Sequence, residues 1–147
     1  MKILLFLFPA VVLSCLLLTG CGGDGLNRTS VHGKVTFDGK PIENGFIMFK
    51  PEPGTQYPDV GGQIKGGTYH IPQKEGPVVG SYTVGIVASA PTGKKIKAPM
   101  TGIETDEMVQ IIPPQYTGVM GKSSLTTNIE KGKNEWNFDI VSDKGNK

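Results

Sequence analysis

The chain has 147 residues, with 15 Lys or Arg and 13 Asp or Glu side chains. This length suits one domain with a single core, and the near-neutral charge, with no basic stripe or long run of like charges, argues against nucleic-acid binding. The 21 glycines and 11 prolines favour short strands and tight turns.

The N-terminal segment 1–20 is predicted to be a lipoprotein signal peptide. Its apolar run, 3–18, is too short and too interrupted for a membrane span. It ends in Leu-Leu-Thr-Gly-Cys at 17–21, which resembles the bacterial lipobox, where cleavage precedes a cysteine that is then acylated. The resemblance implies that Cys21 becomes the lipid-bearing first residue. Since Cys15 leaves with the signal peptide, no disulfide is expected. The alternatives are a secretory signal cut elsewhere and an uncleaved anchor.

The predicted anchor implies a bacterial cell envelope. Gly22, rather than Asp, follows Cys21, and by resemblance to envelope-sorting rules this implies the outer membrane. Residues 21–29 are small, polar and without periodicity, so they are predicted to be the acylated Cys and a flexible tether.

Apolar and polar residues alternate from Ser30 onward, which predicts β-strands with one buried face. The first such strand is 31–37. Asp38-Gly39 predicts a hairpin turn after it, and Lys65-Gly66-Gly67 predicts a second turn. The continuous apolar run 46–49 predicts a strand buried on both sides.

The longest predicted strand is 80–88, with Tyr82, Val84, Ile86 and Ala88 on one face. Two further strands flank the turn 131–134 near the C-terminus. The whole pattern predicts an all-β domain, 30–142, built as a β-sandwich of about seven strands.

Two segments break the strand pattern. Residues 91–122 are rich in Gly, Pro and Lys, and only 108–112 resembles a strand, so a long loop is predicted that is functional or locally disordered. Residues 143–147 are predicted to be a polar tail.

Seven short motifs follow one another along nearly the whole mature chain: Val31–Ile42, Gly45–Pro51, Gly67–Ile71, Gly80–Val84, Ile112–Tyr116, Ser124–Thr126 and Gly132–Phe138. In this order they resemble the transthyretin-like, carboxypeptidase-regulatory-like lipoproteins of planctomycete bacteria. The resemblance implies a seven-stranded Greek-key sandwich in a small surface lipoprotein. It implies no particular activity.

His32 and His70 are the only histidines, and the alternation directs both toward solvent. Two histidines alone fall short of the three or four ligands of a metal site, so no metal or cofactor is predicted. Hydroxyisourate hydrolases of the transthyretin fold use strand histidines, an arginine and a C-terminal Tyr-Arg-Gly-Ser. This chain lacks that ending and has only Arg28. An enzyme would require both imidazoles to converge in a pocket with a carboxylate.

Tyr57 and Tyr116 are the candidate recognition residues. Both lie in proline-rich loops, where a rigid ring can contact a partner at a low entropic cost. The alternative for Tyr116 is that it fastens the long loop onto the sandwich. The loops 52–61 and 91–122 are predicted to share one end of the sandwich and to carry any recognition.

The predicted long loop also carries charge. Glu104, Asp106 and Glu107 could bind a hard cation through their oxygens, and Lys94, Lys95 and Lys97 could contact anionic groups. A solvated charged surface is the simpler interpretation of both sets.

The leading hypothesis is a non-enzymatic, membrane-anchored envelope module that contacts protein or glycan. One alternative is a hydrolase or metal-dependent enzyme using His32 and His70. A third is an auxiliary domain that stabilises an exported partner enzyme.

Overall fold

The computed structural model describes residues 25–118 and 123–142. The predicted signal peptide 1–20, the predicted acylation site Cys21 and the predicted tail 143–147 lie outside the described residues.

Nine strands and two short 3-10 turns make up the regular structure of the described residues. The strands are β1 (Val31–Phe37), β2 (Lys40–Pro41), β3 (Asn44–Pro51), β4 (Val60–Lys65), β5 (Thr68–Ile71), β6 (Gly80–Lys97), β7 (Glu104–Gln110), β8 (Leu125–Ile129) and β9 (Phe138–Ile140). The 3-10 turns are Gln73–Glu75 and Pro114–Tyr116. Within 25–118 and 123–142, no helix has the length and apolar character needed to cross a membrane.

The strands are hydrogen-bonded in the order β2-β1-β5-β4-β3-β6-β7, with β8 beside β6 and β9 parallel to β1. The predicted all-β fold is confirmed. One apolar core receives side chains from β1, β3, β4, β5, β6, β8 and β9, as expected when a sheet folds over its own inner face. The described strands number nine rather than seven, and the Greek-key order stays a prediction.

Both predicted hairpin turns are present. Asp38 and Gly39 have φ angles of 49° and 75°, and Gly66 and Gly67 have φ angles of 53° and 73°. Positive φ at both central residues is the feature of the type I′ turn, whose twist suits a two-residue hairpin. Glycine at three of these four positions therefore explains why the chain reverses there.

The alternation predicted for β6 is confirmed, because Tyr82, Val84, Ile86 and Ala88 are all buried in the core. The prediction that 46–49 is buried on both sides is wrong. Ile47 and Phe49 are fully buried, but Phe46 is 41% exposed on the outer face, since an antiparallel sheet leaves one face to solvent.

The prediction of a long loop over 91–122 is wrong for its first part. β6 continues to Lys97 and pairs with β7 as a two-stranded ribbon, with a register shift between Pro91 and Lys95. Every residue of 91–97 is exposed. Because neither face of the ribbon is buried, the sequence carries no apolar alternation by which to recognise these strands.

The predicted tether 21–29 is also too long at its C-terminal end. Arg28 forms a β-bridge with Val78, and the Thr29 N–H donates to the Pro77 carbonyl at 2.8 Å. The chain therefore joins the domain by residue 28, because its backbone groups find partners in the segment 76–78.

Candidate functional site

A groove of ≈ 660 Å³ lies where the chain joins the domain. Its volume is in the range of small-molecule sites. Four stretches of chain that are distant in sequence form it. The lining residues are Leu26, Asn27, Arg28, Thr29, Tyr57, Gln73, Val78, Val79, Lys131 and Gly132.

Backbone pairing between the entering chain and the segment 76–78 builds one wall of the groove. Besides the Arg28–Val78 bridge, Arg28 Nη1 donates to the Gly76 carbonyl at 2.8 Å. A Cβ on Gly76 would lie 1.9 Å from the Thr29 carbonyl oxygen. Glycine is thus required at residue 76 for the two segments to approach this closely.

Tyr82 fixes Val78 from inside the domain. Its hydroxyl donates to the Val78 carbonyl at 2.9 Å and accepts from the Val78 N–H at 3.1 Å. Burial raises the pKa of Tyr82, and Tyr57 adds to the rise, whereas the Val78 hydrogen bond and the charge of Arg28 oppose it. The hydroxyl therefore stays protonated at neutral pH and holds the groove wall in place.

Tyr57 contributes an aromatic face to the groove. It lies in the loop between β3 and β4 and is 38% exposed, so its ring is available to a ligand. The exposed Val79 lies in the same lining. Recognition by Tyr57 stays a prediction, and the residue lies in a concavity rather than on an isolated loop tip.

The groove is cationic and rich in hydrogen-bonding groups. Arg28 and Lys131 carry its positive charge, and the lining contains no carboxylate. Asn27 and Gln73 contribute side-chain amides. Arg28 and Lys131 suit an anion, and amides beside an aromatic ring suit polar oxygens over a flat apolar face. Chemically, the groove fits an oxygen-rich anionic ligand.

Tyr116 does not lie in this groove. It follows Pro113 and Pro114, is half-buried, and packs against the apolar core. Its backbone N–H donates to the Pro113 carbonyl at 3.0 Å. This position matches the alternative in which Tyr116 fastens the chain after β7 onto the sheet.

The two predicted recognition loops do not share one end of the domain. The loop after β3 begins next to Tyr82, since Pro51 pairs with that residue near the start of β6. The ribbon turns after Lys97, at the other end of the 18-residue β6. The prediction is wrong because β6 continues past the body of the sheet. The ribbon turn exposes Met100 almost completely, at 98%.

One ion pair and one hydrogen bond involving charged residues link the two strands of the ribbon. Lys95 and Asp106 form an ion pair at 2.8 Å, and the Thr92 hydroxyl donates to Glu107 at 2.7 Å. Within 25–118 and 123–142, no group of three or more His, Cys, Asp or Glu side chains is arranged to hold a metal ion. The solvated-surface interpretation of the ribbon charges stays a prediction.

His32 and His70 are both exposed, as predicted, and they are neighbours in the sheet. They are cross-strand partners in β1 and β5, and their ring centroids are 6.3 Å apart. Glu135 forms a bridge with His32 on its other side. The imidazoles therefore converge, though on an open sheet face and not in the groove.

Sequence reasoning missed Arg28, Gln73 and Lys131 as groove residues. Each lies in a separate stretch of chain. The pairing of 28–29 with 76–78 brings Arg28 to the segment that follows Gln73, and Lys131 joins the lining from the turn after β8. The one available signal was Arg28 itself, the only arginine in the sequence, placed next to the first strand.

Comparisons with protein-family models, with curated proteins and with solved structures found no match to this chain.

Proposed function

We propose that this protein is a lipid-anchored, non-enzymatic binding module of a bacterial envelope, and that its groove takes an anionic glycan. The observation that carries this proposal is the groove itself, in which Arg28, Lys131 and Tyr57 surround a space of ≈ 660 Å³. Gly22 after Cys21 favours the outer membrane as its location.

The groove lies close in sequence to the proposed lipid. Leu26 lines the groove, and covalent geometry limits the Cα distance between Cys21 and Leu26 to about 18 Å. An acylated Cys21 would therefore hold the groove near the bilayer, where ligands fixed in the envelope are concentrated. Attachment to the same membrane raises the effective concentration of such ligands.

The lining chemistry supports a glycan. Sugar hydroxyls pair with amides such as those of Asn27 and Gln73, and the apolar face of a sugar ring packs on an aromatic side chain such as Tyr57. A uronate or similar acidic sugar adds the carboxylate that Arg28 and Lys131 can pair with.

The lining also supports binding rather than catalysis. Its ten residues contain no histidine, cysteine, aspartate or glutamate. These residue types supply the general bases and activated nucleophiles of most hydrolases.

Calorimetric titration of the full chain in detergent tests the proposed ligand. The probes are a trimer of galacturonate and a neutral trimer of galactose. We expect the acidic trimer to bind more tightly, and Lys131→Ala to weaken its binding by about five- to tenfold, equivalent to about 1–1.4 kcal/mol. Lys94→Ala is the matched control, since it removes an exposed lysine from the ribbon at the other end of β6.

Three results would overturn the glycan assignment. The first is equal binding of the acidic and neutral trimers, and the second is binding that Lys131→Ala leaves unchanged. The third is no glycan binding, together with binding to vesicles of phosphatidylglycerol that depends on Lys131, which would assign the groove to a lipid headgroup.

A further inference from the structure

We propose that His32 and His70 form a two-imidazole site for a late first-row transition-metal ion, with Cu²⁺ bound most tightly and water completing the coordination. This site lies on the exposed face of β1 and β5 and is separate from the groove. It is independent of the proposed function.

The sheet register brings the two imidazoles together. The Val35 N–H donates to the Gly67 carbonyl at 2.9 Å, so Val35 and Gly67 are a hydrogen-bonded pair. His32 and His70 lie three positions further along the antiparallel ladder and are therefore a non-hydrogen-bonded pair. Cα atoms of such pairs lie about 4.5 Å apart, the closest cross-strand approach in a sheet.

The backbone N–H and carbonyl of His32 point away from β5, as expected for a residue of a non-hydrogen-bonded pair. Its N–H donates to the Asn134 carbonyl and its carbonyl accepts from the Trp136 N–H, both at 2.9 Å. Hydrogen bonds on both sides of β1 thus fix the Cα position of His32, and only side-chain rotation is left to adjust the site.

The observed ring separation suits a shared metal ion. A metal lies about 2.0–2.1 Å from an imidazole nitrogen, so two rings on one ion have centroids about 4.5 Å apart at a right angle and at most about 6.4 Å apart in a line. The centroids of His32 and His70 are 6.3 Å apart, with an angle of 42° between the ring planes. Rotations about the side-chain torsions that bring the rings about 1–2 Å closer would direct one nitrogen of each ring at a common point, at the tetrahedral or right angle usual for two ligands of one metal ion.

The surroundings of the pair leave both rings available. Among the described residues, neither imidazole has a hydrogen-bond or ion-pair partner, and their contact is with each other. Glu135 is in register beside His32, but its Oε1 accepts from the Asn137 amide at 3.1 Å. The charge of Lys34, on the same exposed face of β1, opposes binding of a cation.

The ligand set selects the metal. Imidazole nitrogens suit Cu, Ni and Zn rather than Mg or Ca, and affinity for divalent ions rises along the series to Cu²⁺. Since no third His, Cys, Asp or Glu among the described residues joins the pair, two protein nitrogens and water are the expected ligands.

Copper titration of the full chain tests the site, using protein prepared without a histidine tag. The chain has only two histidines, so electron paramagnetic resonance of bound Cu²⁺ can count the imidazole ligands directly. We expect one Cu²⁺ with two nitrogen ligands, and affinity at least about tenfold lower in both His32→Ala and His70→Ala. His70→Gln, which keeps a polar side chain on the strand, is expected to show the same loss.

Lys34→Ala is the control, because it removes a neighbouring side chain that is not a proposed ligand. It should retain the wild-type spectrum and bind Cu²⁺ at least as tightly. The site is overturned if either histidine variant keeps the wild-type affinity and two-nitrogen spectrum, or if the wild type binds Cu²⁺ through one imidazole only.

Discussion

The hydroxyl group of Tyr82 forms two hydrogen bonds with the backbone of Val78, one to its carbonyl and one from its N–H. Tyr82 belongs to the core, and Val78 lines the groove and forms the bridge with Arg28. One side chain thus connects the packing of the sheet to the wall of the proposed binding site.

Tyr82→Phe removes both hydrogen bonds and leaves buried backbone groups of Val78 without these partners. We expect a loss of about 1–3 kcal/mol in the free energy of unfolding, measured by urea denaturation, and weaker binding of the galacturonate trimer. Tyr116→Phe is the control, expected to change the stability by less than about 0.5 kcal/mol. Equal stabilities of the two variants would show that the Tyr82 hydroxyl does not hold Val78.

The raised pKa of Tyr69 predicts that the free energy of unfolding falls at alkaline pH. Burial raises its pKa well above the ordinary value, and its hydroxyl donates to the Trp136 carbonyl at 2.8 Å. Because Tyr69 ionises more easily in the unfolded chain, its contribution to the free energy of unfolding is complete below about pH 10. This contribution is lost as the pH rises above that value.

Urea denaturation between pH 8 and pH 11 measures this contribution. We expect the stability of the wild type to fall more steeply above about pH 10 than that of Tyr69→Phe, which has no phenol at this position to ionise. Parallel curves for the two proteins would contradict the assignment.

Gly33 is expected to tolerate no side chain. A Cβ at this position would lie 1.9 Å from the Trp136 carbonyl oxygen, the same oxygen that accepts from Tyr69. Gly33→Ala should therefore destabilise the fold by about 1–3 kcal/mol or more, measured as a lower urea midpoint. Lys34→Ala, at an exposed position of the same strand, should stay within about 0.5 kcal/mol of the wild type. If Gly33→Ala left the urea midpoint unchanged, Trp136 would not lie over β1.

The ion pair between Lys95 and Asp106 should contribute little to stability. Both side chains are half-exposed or more, and exposed pairs typically contribute about 0–1 kcal/mol. A double-mutant cycle with Lys95→Ala and Asp106→Ala should give a coupling energy in that range, smaller still at 1 M salt. A coupling above about 2 kcal/mol would mean that the pair is shielded from solvent, for instance by a partner covering the ribbon.

Short sequence patterns were enough to predict the strands that bury one face in the core. The alternation in β1 and β6 predicted which residues are buried, and Asp38-Gly39 predicted its turn, because both signals depend on neighbours in the chain. The prediction for 46–49 was wrong because Phe46 is apolar yet lies on the outer face. Hydrophobicity alone therefore did not indicate on which face of the sheet this side chain lies.

The sites could not be predicted in the same way, since they depend on which strands become neighbours. Alternation correctly directed His32 and His70 to solvent, but their contact follows from the register of β1 with β5. Likewise, Lys131 and Tyr57 line the same groove only because the tertiary fold brings their two loops together. No pattern in the sequence encodes either pairing.

The anchor at Cys21 is the basis of the proposed function, and intact mass spectrometry of protein recovered from membranes tests it most directly. We expect a mature chain that begins at Cys21 and carries added acyl mass. This product should be absent from Cys21→Ala and retained in the control Cys15→Ala, because residue 15 belongs to the predicted signal peptide. An unmodified chain cut at another position, or one left uncleaved, would contradict the account of a lipid-anchored module.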